Sequence, residues 1–573
     1  MTRLLVQKIL LAALPGALLV TPAFGDEIWL KRGNSVMVAS DSHDASEAGL
    51  KILRNGGNAF DAAAAVSFAL AVSRPHSTGL GGGGFLIGRK SDRGEVFVLD
   101  YRESAPKAAT ADMFRGDSSG LNSRLGYQAA AVPGQVAGID LLLKRYGTQS
   151  MSLVIEPALR LARDGIKVDE HYVKACRKVL GDYQRFPSLK EWGDYVWRVH
   201  LREGRLRQPG DELKQPELAG LLEKLSQHGA SFFYDGPVAG SFDRTMQKHG
   251  GIMTSADLGD YSVRRRTPLR LTYREYEVIA MPPPSSGGIC LAQILNILEH
   301  FDLRDMRRKN SATAASMTIE AMKHAFADRA RYLGDADFVD VPFERLMSKE
   351  YAKSLADKIK SPLPLGRYGT PTAGRSMEQI PADGGTSHFC IVDRLGNCVV
   401  STETINTEFG SLAAIDEWGL ILNNEMDDFT ARPGEANAFG LIQSANNSIA
   451  PGKRPLSSMS PTMVLRNDQP VLLLGGSGGP RIISSVLQVM LNVVDYGDSL
   501  GEAVAARRFH HQWQPDCIFF DGEPDADLVR QLESMGYRVN DERREGVVQA
   551  IQIDGGRLTG ASDPRKGGRP AGE

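Results

Sequence analysis

The sequence predicts an α/β protein with helices layered on β-sheet, and three observations carry that reading. A helix apolar on almost every side lies near residue 60. A strongly alternating hairpin lies near residue 390. Strand-like runs followed by helical ones occur in both halves of the chain.

Taken in order, residues 37–87 read MVASDSHDASEAGLKILRNGGNAFDAAAAVSFALAVSRPHSTGLGGGGFLI. Asp44 is the expected N-cap of a helix carrying Ala48, Leu50, Ile52 and Leu53, and Gly56–Gly57 ends it. Asn58 then opens the alanine-rich helix, and a helix with no polar face belongs between layers. The run Gly81 to Gly84 reads as a tight turn before the strand Phe85-Leu86-Ile87, and a second strand, Val96 to Tyr101, follows. A phosphate cradle is excluded at these glycines, because no Lys-Ser/Thr pair follows and a strand stands where a helix would be needed, so packing is their reading.

Residues 130–360 are mostly helical by periodicity, as in Ser152 to Asp164, Glu217 to His228 and Ala312 to Tyr332, interrupted by the turn PPPSSGG at 282–288. From Lys360 to Gly385 the chain turns rich in Pro, Gly and polar residues with nothing to form a core, so an exposed loop is expected there. Directly after it come TSHFCIV, DRLGN and CVVSTET, two alternating strands around a turn. Later segments, GLILNNEMDDF, PTMVLRND, PVLLLGGSGG and IISSVLQVMLNVV, continue the β-then-α pattern.

The chain has 573 residues, enough for several average domains or one large layered one. Its net charge of -2 gives no reason to expect nucleic acid as a partner. Residues 1–25 carry Arg3 and Lys8, an apolar run from Ile9 to Val20 and small residues before Asp26, the pattern of a secretory signal peptide. That run contains Pro15 and falls short of the roughly 20 residues that span a bilayer. No cysteine near residue 25 could carry a lipid anchor, so a soluble secreted or periplasmic protein is expected. The five cysteines, Cys176, Cys290, Cys390, Cys398 and Cys517, are odd in number and lack metal-ligand spacing. Buried free thiols, with no metal and no cofactor, are the reading.

Chemistry concentrates at Thr386. A threonine hydroxyl needs a base, and no Ser-His-Asp pattern or G-x-S-x-G elbow is present. If the Gly385–Thr386 bond were broken, Thr386 would own a free α-amine whose ordinary pKa, near 8, suits general-base work. Gly385 would tolerate the distorted backbone needed for the Thr386 hydroxyl to attack the preceding carbonyl. A three-residue hairpin loop at Arg394 to Gly396 sets Thr386 opposite Thr404, with both side chains on one face. It also places Cys390 opposite Val400 and Cys398 opposite Val392, making the two thiols diagonal neighbours. A register one residue different would put the threonines on opposite faces.

With these residues assembled, the chain resembles the γ-glutamyltranspeptidases, also called glutathione hydrolases. The motifs that carry the resemblance include GGNAFDAAAA, GLGGGGF, DYRESAP, AVPGQVAG, MPPPSSGG, GGTSHFCIVDRLGNCVVSTETINTEFGS, NNEMDDF, APGKRPLSSMSPT, SGGPRII, RRFHHQW and GASDPR, in one order over nearly the whole chain. The resemblance implies a four-layer αββα sandwich of the N-terminal-nucleophile hydrolase type. It also implies self-cleavage before Thr386 into a large subunit, residues 26–385, and a small catalytic one, 386–573, that stay together as a heterodimer.

Residue by residue, the resemblance implies Thr386 as nucleophile and Thr404 as the second threonine that orients it. Arg102 would hold the glutamyl α-carboxylate with its fixed fork, helped by Ser457 and Ser458. Asn406, Glu425 and Asp428 would hold the α-amino group, and the Gly478 and Gly479 amides would stabilise the oxyanion. Singly, each is a common structural residue; together they describe a pocket shaped for an amino acid. Glutathione and other γ-glutamyl compounds are the implied substrates, with water, amino acids or peptides as acceptors.

Two positions depart from the family pattern. Cys390 stands where Ser or Thr is usual, on the face of Thr386, which removes a hydroxyl from the processing region. In PGEANAFG, at 433–440, which matches a lid, Phe439 replaces a tyrosine found in several bacterial members and lacks its hydroxyl. Two alternatives stand beside the main reading: a cephalosporin or glutaryl acylase of the same architecture, which would not need Glu425 and Asp428, and a secreted, unprocessed pseudoenzyme.

Overall fold

The computed structural model describes residues 28–116, 121–191, 193–359, 385–431 and 436–573. The expected signal peptide, the loop up to residue 384 and residues 433–435 of the lid segment lie outside the described residues.

Asn58 caps the helix Ala59–Ser73. Its side chain accepts from the Phe60 and Asp61 amides while Asp61 accepts from the Asn58 amide, a closed capping box. Every residue of this helix is buried, as its all-round apolar composition requires. The preceding helix, His43–Arg54, starts two residues before the expected site. Ser42, in extended conformation, is its cap, and Asp44 lies in the first turn, where a carboxylate also complements the helix dipole. The periodic segments appear as Met151–Asp164, Pro216–His228 and Ser311–Tyr332. The PPPSSGG turn runs directly into another helix, Gly287–Leu298.

Two seven-stranded antiparallel sheets form the middle of the molecule. In hydrogen-bonding order the first consists of Ala571–Gly572, Met37–Ser40, Gly385–Val392, Cys398–Asn406, Gly83–Arg89, Val96–Tyr101 and Arg264–Arg266. The second consists of Leu30–Gly33, Arg557–Ser562, Val547–Asp554, Gln469–Ser477, Thr462–Arg466, Tyr276–Ala280 and Leu269–Tyr273. One apolar cluster joins Phe389, Ile391, Val399 and Ile405 on the outer face of the first sheet to helices Ala59–Ser73 and Met151–Asp164. A second holds Cys390, Val400 and Ile87 from the inner face together with Leu472 and Leu474. It continues into helices Gly287–Leu298, Ser311–Tyr332 and Arg481–Leu491. The layering is helix, sheet, sheet, helix, the expected αββα sandwich.

The central hairpin is buried along both strands. Thr386 pairs with Thr404, Cys390 with Val400 and Val392 with Cys398, which is the register read from the turn. Asp393 sets that turn by accepting from the Leu395 and Asn397 amides. The glycines at 81–84 combine the expected turn, in which the Gly82 amide donates to the Gly79 carbonyl at 3.0 Å, with the expected close packing. None adopts a positive φ. A Cβ on Gly82 would lie 2.0 Å from the Thr404 carbonyl oxygen, so these glycines let the strand entry press against the hairpin. All five cysteines are free and buried.

Candidate active site

Thr386 opens the hairpin at a register shift after Gly385. Its hydroxyl lies 3.0 Å from that of Thr404. The Thr404 hydroxyl donates to the Gly385 carbonyl oxygen at 2.5 Å and accepts from the Asn406 amide at 2.8 Å. One hydroxyl has one proton, so Thr404, having given it to Gly385, accepts from Thr386. The Gly385 carbonyl and the Thr386 hydroxyl therefore share one partner. Gly385 is required for close approach and not for a positive φ: a Cβ there would lie 2.3 Å from the Thr407 carbonyl oxygen.

Behind Thr386, on the same face, His388 bonds the Thr402 hydroxyl through Nδ1 at 2.8 Å. Burial pushes this imidazole down to about 3, so it is neutral at physiological pH. Cys390 sits 3.3 Å from His388 Nε2 and donates to the Gln549 carbonyl; neither bond reaches Thr386.

A small cavity opens beside the threonines. It is lined by Thr386, Thr404, Arg102, Asn406, Glu425, Asp428, Ser457, Ser458 and Gly479 from the expected set. Gly385 and Gly478 are not on its wall. Gly478 sits just behind Gly479, and both adopt positive φ, +122° and +60°, in the turn from strand Gln469–Ser477 into helix Arg481–Leu491. The Phe439 ring covers Gly479, where a Cβ would come within 2.6 Å of it. Its main-chain carbonyl accepts from Gln512 Nε2 at 3.2 Å, so this segment is tied down through its backbone without a tyrosine hydroxyl.

Arg102 is 1 % exposed. Its two terminal nitrogens reach Glu425 at 2.7 Å and Asp428 at 2.6 Å, and Nε donates to the Pro455 carbonyl. Burial opposes the guanidinium charge, but Glu425, Glu103 and Asp428 outweigh it and hold the arginine above its ordinary range. Burial raises the Glu425 and Asp428 carboxyls against the lowering pull of Arg102, and brings Glu103 to about 7. Glu425 Oε1 accepts no hydrogen bond among the described residues. The Ser286 amide and hydroxyl donate to the Ser457 carbonyl, both at 2.7 Å, so the PPPSSGG turn buttresses the serine pair.

Sequence reasoning missed Arg329 on the cavity wall, which donates to Ser286, and Lys566, whose Nζ donates to the Thr386 carbonyl oxygen at 2.6 Å. Both are far from Thr386 in sequence, and neither is marked by local spacing. Among the described residues no group of three or more His, Cys, Asp or Glu could hold a metal ion, and no helix is long and apolar enough to cross a membrane.

Two facing sheets between helical layers, with a threonine at the start of a central strand, define the architecture of the N-terminal-nucleophile hydrolases. Within that class the chain belongs to the γ-glutamyltranspeptidase family, whose sequence profile, Gamma-glutamyltranspeptidase, matches residues 45–573. It is 42 % identical over 546 residues to a glutathione hydrolase proenzyme of Escherichia coli, covering 93 % of this chain and 91 % of that protein. A solved cephalosporin acylase of Bacillus halodurans superposes with a TM-score of 0.82 at 26 % identity, over 95 % of this chain and 97 % of that one. A chain of Helicobacter pylori γ-glutamyltranspeptidase is 42 % identical, with a TM-score of 0.52 over 55 % of this chain and 89 % of its own.

Proposed function

We propose that the protein is a self-processing γ-glutamyltranspeptidase and glutathione hydrolase with Thr386 as its nucleophile. The observation that carries this is the triangle of the Thr386 hydroxyl, the Thr404 hydroxyl and the Gly385 carbonyl beside a cavity lined by two guanidiniums, of Arg102 and Arg329, and two carboxylates. In maturation the Thr386 hydroxyl adds to the Gly385 carbonyl, the Gly385–Thr386 C–N bond breaks, and an ester forms. Water hydrolyses that ester, leaving a Gly385 carboxylate and a free Thr386 α-amine. Thr404 polarises the carbonyl before the attack.

In turnover the α-amine takes the Thr386 hydroxyl proton as the oxygen attacks the γ-carbonyl of the donor. The Gly478 and Gly479 amides, at the N-terminal end of helix Arg481–Leu491, stabilise the oxyanion. The α-ammonium passes the proton to the leaving amine, and the acyl-enzyme is resolved by water, giving glutamate, or by an amino acid or peptide. Arg102, Ser457 and Ser458 suit the donor α-carboxylate. Asn406, Asp428 and the unpartnered oxygen of Glu425 suit its α-ammonium, so a zwitterion would satisfy groups that otherwise neutralise one another. Residues 1–25 act as an export signal, and the two segments remain one heterodimer.

Thr386→Ala is expected to remain one full-length band and to release no glutamate from glutathione; two bands or retained hydrolysis contradicts the reading. The near full-length superposition on a cephalosporin acylase supports a second reading, glutaryl amide hydrolysis. Turnover of a γ-glutamyl anilide in preference to its glutaryl counterpart, which lacks the α-amine, decides against it.

A further inference from the structure

We propose that Lys566 is a positioning residue that fixes Thr386 relative to the Gly478–Gly479 turn, and this rests on the reading of Thr386 as nucleophile. Lys566 is fully buried, and its ammonium makes two hydrogen bonds and one ion pair. It donates to the Thr386 carbonyl oxygen at 2.6 Å and to the Ser477 hydroxyl at 3.1 Å, and it pairs with Asp41 at 3.0 Å. Ser477 immediately precedes Gly478, so one point of attachment ties the nucleophilic residue in the first sheet to the oxyanion turn at the end of a strand in the second.

Ladder geometry explains the need. Within strand Gly385–Val392 only Phe389–Val392 pair with Met37–Ser40, so Thr386 lies beyond the end of that ladder. Once the Gly385–Thr386 bond is cut, Thr386 loses its covalent tether on the N-terminal side. The Lys566 bond to its carbonyl then keeps the residue in place. The attachment is itself anchored: Arg74 donates to the carbonyls of Asp41, at 2.8 Å, and Lys566, at 3.3 Å, and pairs with Asp169.

The same ammonium sets the charge around the α-amine. Within one residue the amine nitrogen and carbonyl oxygen are only a few ångströms apart, so a cation on the oxygen disfavours protonation of the nitrogen. The other charged and titratable groups facing Thr386 are Asp41 and Arg74 beyond Lys566, and Arg102, Arg329, Glu425 and Asp428 around the cavity. His388, His76 and His171 also lie around this attachment, and burial keeps all three neutral. Lys566 is the cation bonded to the nucleophilic residue itself.

The test uses the full-length protein and its Lys566→Met and Asp41→Asn variants, with cleavage followed on denaturing gels and donor hydrolysis followed against pH. Lys566→Met is expected to mature more slowly and to lose roughly 100-fold in kcat with KM within about threefold of wild type, the loss expected when a reacting group is misplaced. The acid limb of its kcat/KM profile should move up by about one pH unit, because an amine without a neighbouring cation binds its proton more tightly. Asp41→Asn leaves Lys566 in place and removes its counter-charge, so its acid limb should move down. Wild-type kcat and an unmoved limb in Lys566→Met overturn the proposal. If that variant does not fold, an unmoved limb in Asp41→Asn does so. A wild-type protein that releases no glutamate sinks the functional reading instead, whatever the variants do.

Discussion

Thr404 uses its single proton on the Gly385 carbonyl and its lone pairs on the Thr386 hydroxyl and the Asn406 amide. Thr404→Ala removes the donor to the Gly385 carbonyl and the acceptor for the Thr386 hydroxyl together. It should slow both maturation and turnover by about 100- to 1000-fold, the range for a positioned donor, with Thr404→Ser recovering most of the loss; rates of band conversion and kcat measure both. Its neighbour Glu403 points to the other face, where Ser67 donates to it at 3.0 Å and the Tyr101 hydroxyl at 3.1 Å. Burial raises its carboxyl from 4.5 to about 7. Between those values the unfolded chain has released this proton and the folded one retains it. Stability from this group is therefore full below pH 4.5 and is lost as pH rises through 7, a change of about 3 kcal/mol. Glu403→Gln should show a shallower fall in urea midpoint between pH 4.5 and 7.5; parallel curves for variant and wild type would refute the assignment.

At the scale of elements, the hairpin was legible because everything that fixes it is local. The Asp393–Asn397 turn sets the register, and alternation then chooses the faces, so Thr386 and Thr404 could be paired from sequence. The glycines at 81–84 and Gly385 were legible as positions that need glycine, but the groups they press against were not. A missing Cβ serves a turn or a close contact equally, and only the neighbouring chain distinguishes them. At Gly82 the neighbour is the Thr404 carbonyl, so Gly82→Ala should displace strand Cys398–Asn406, costing about 1–3 kcal/mol of stability by overpacking and most of the activity. A soluble Gly82→Ala protein with wild-type kcat would contradict that account. Lys566, Ser477 and Arg329 were not legible as site residues, because their roles arise where two sheets and distant loops meet. Arg102, Glu425 and Asp428 were legible through family motifs, but their mutual neutralisation in the cavity appears only in three dimensions.

For the whole molecule, the order of strands decides what cleavage can do. The first sheet places Gly385–Val392 between Met37–Ser40, from before the proposed cut, and Cys398–Asn406, from after it. The second sheet likewise mixes Tyr276–Ala280 with Thr462–Arg466. Separating the pieces would break both sheets and both apolar clusters, so they should co-elute in native size exclusion and part only in denaturant. Separate elution under native conditions would contradict the shared-sheet architecture.

The central claim is that the bond before Thr386 is cut by Thr386 itself. N-terminal sequencing of the smaller fragment of the purified wild-type protein, run beside Thr386→Ala, tests it most directly. The account predicts a wild-type fragment beginning Thr-Ser-His-Phe-Cys and an uncut variant. A fragment beginning at any other residue, or a variant cut at the same bond, would contradict it.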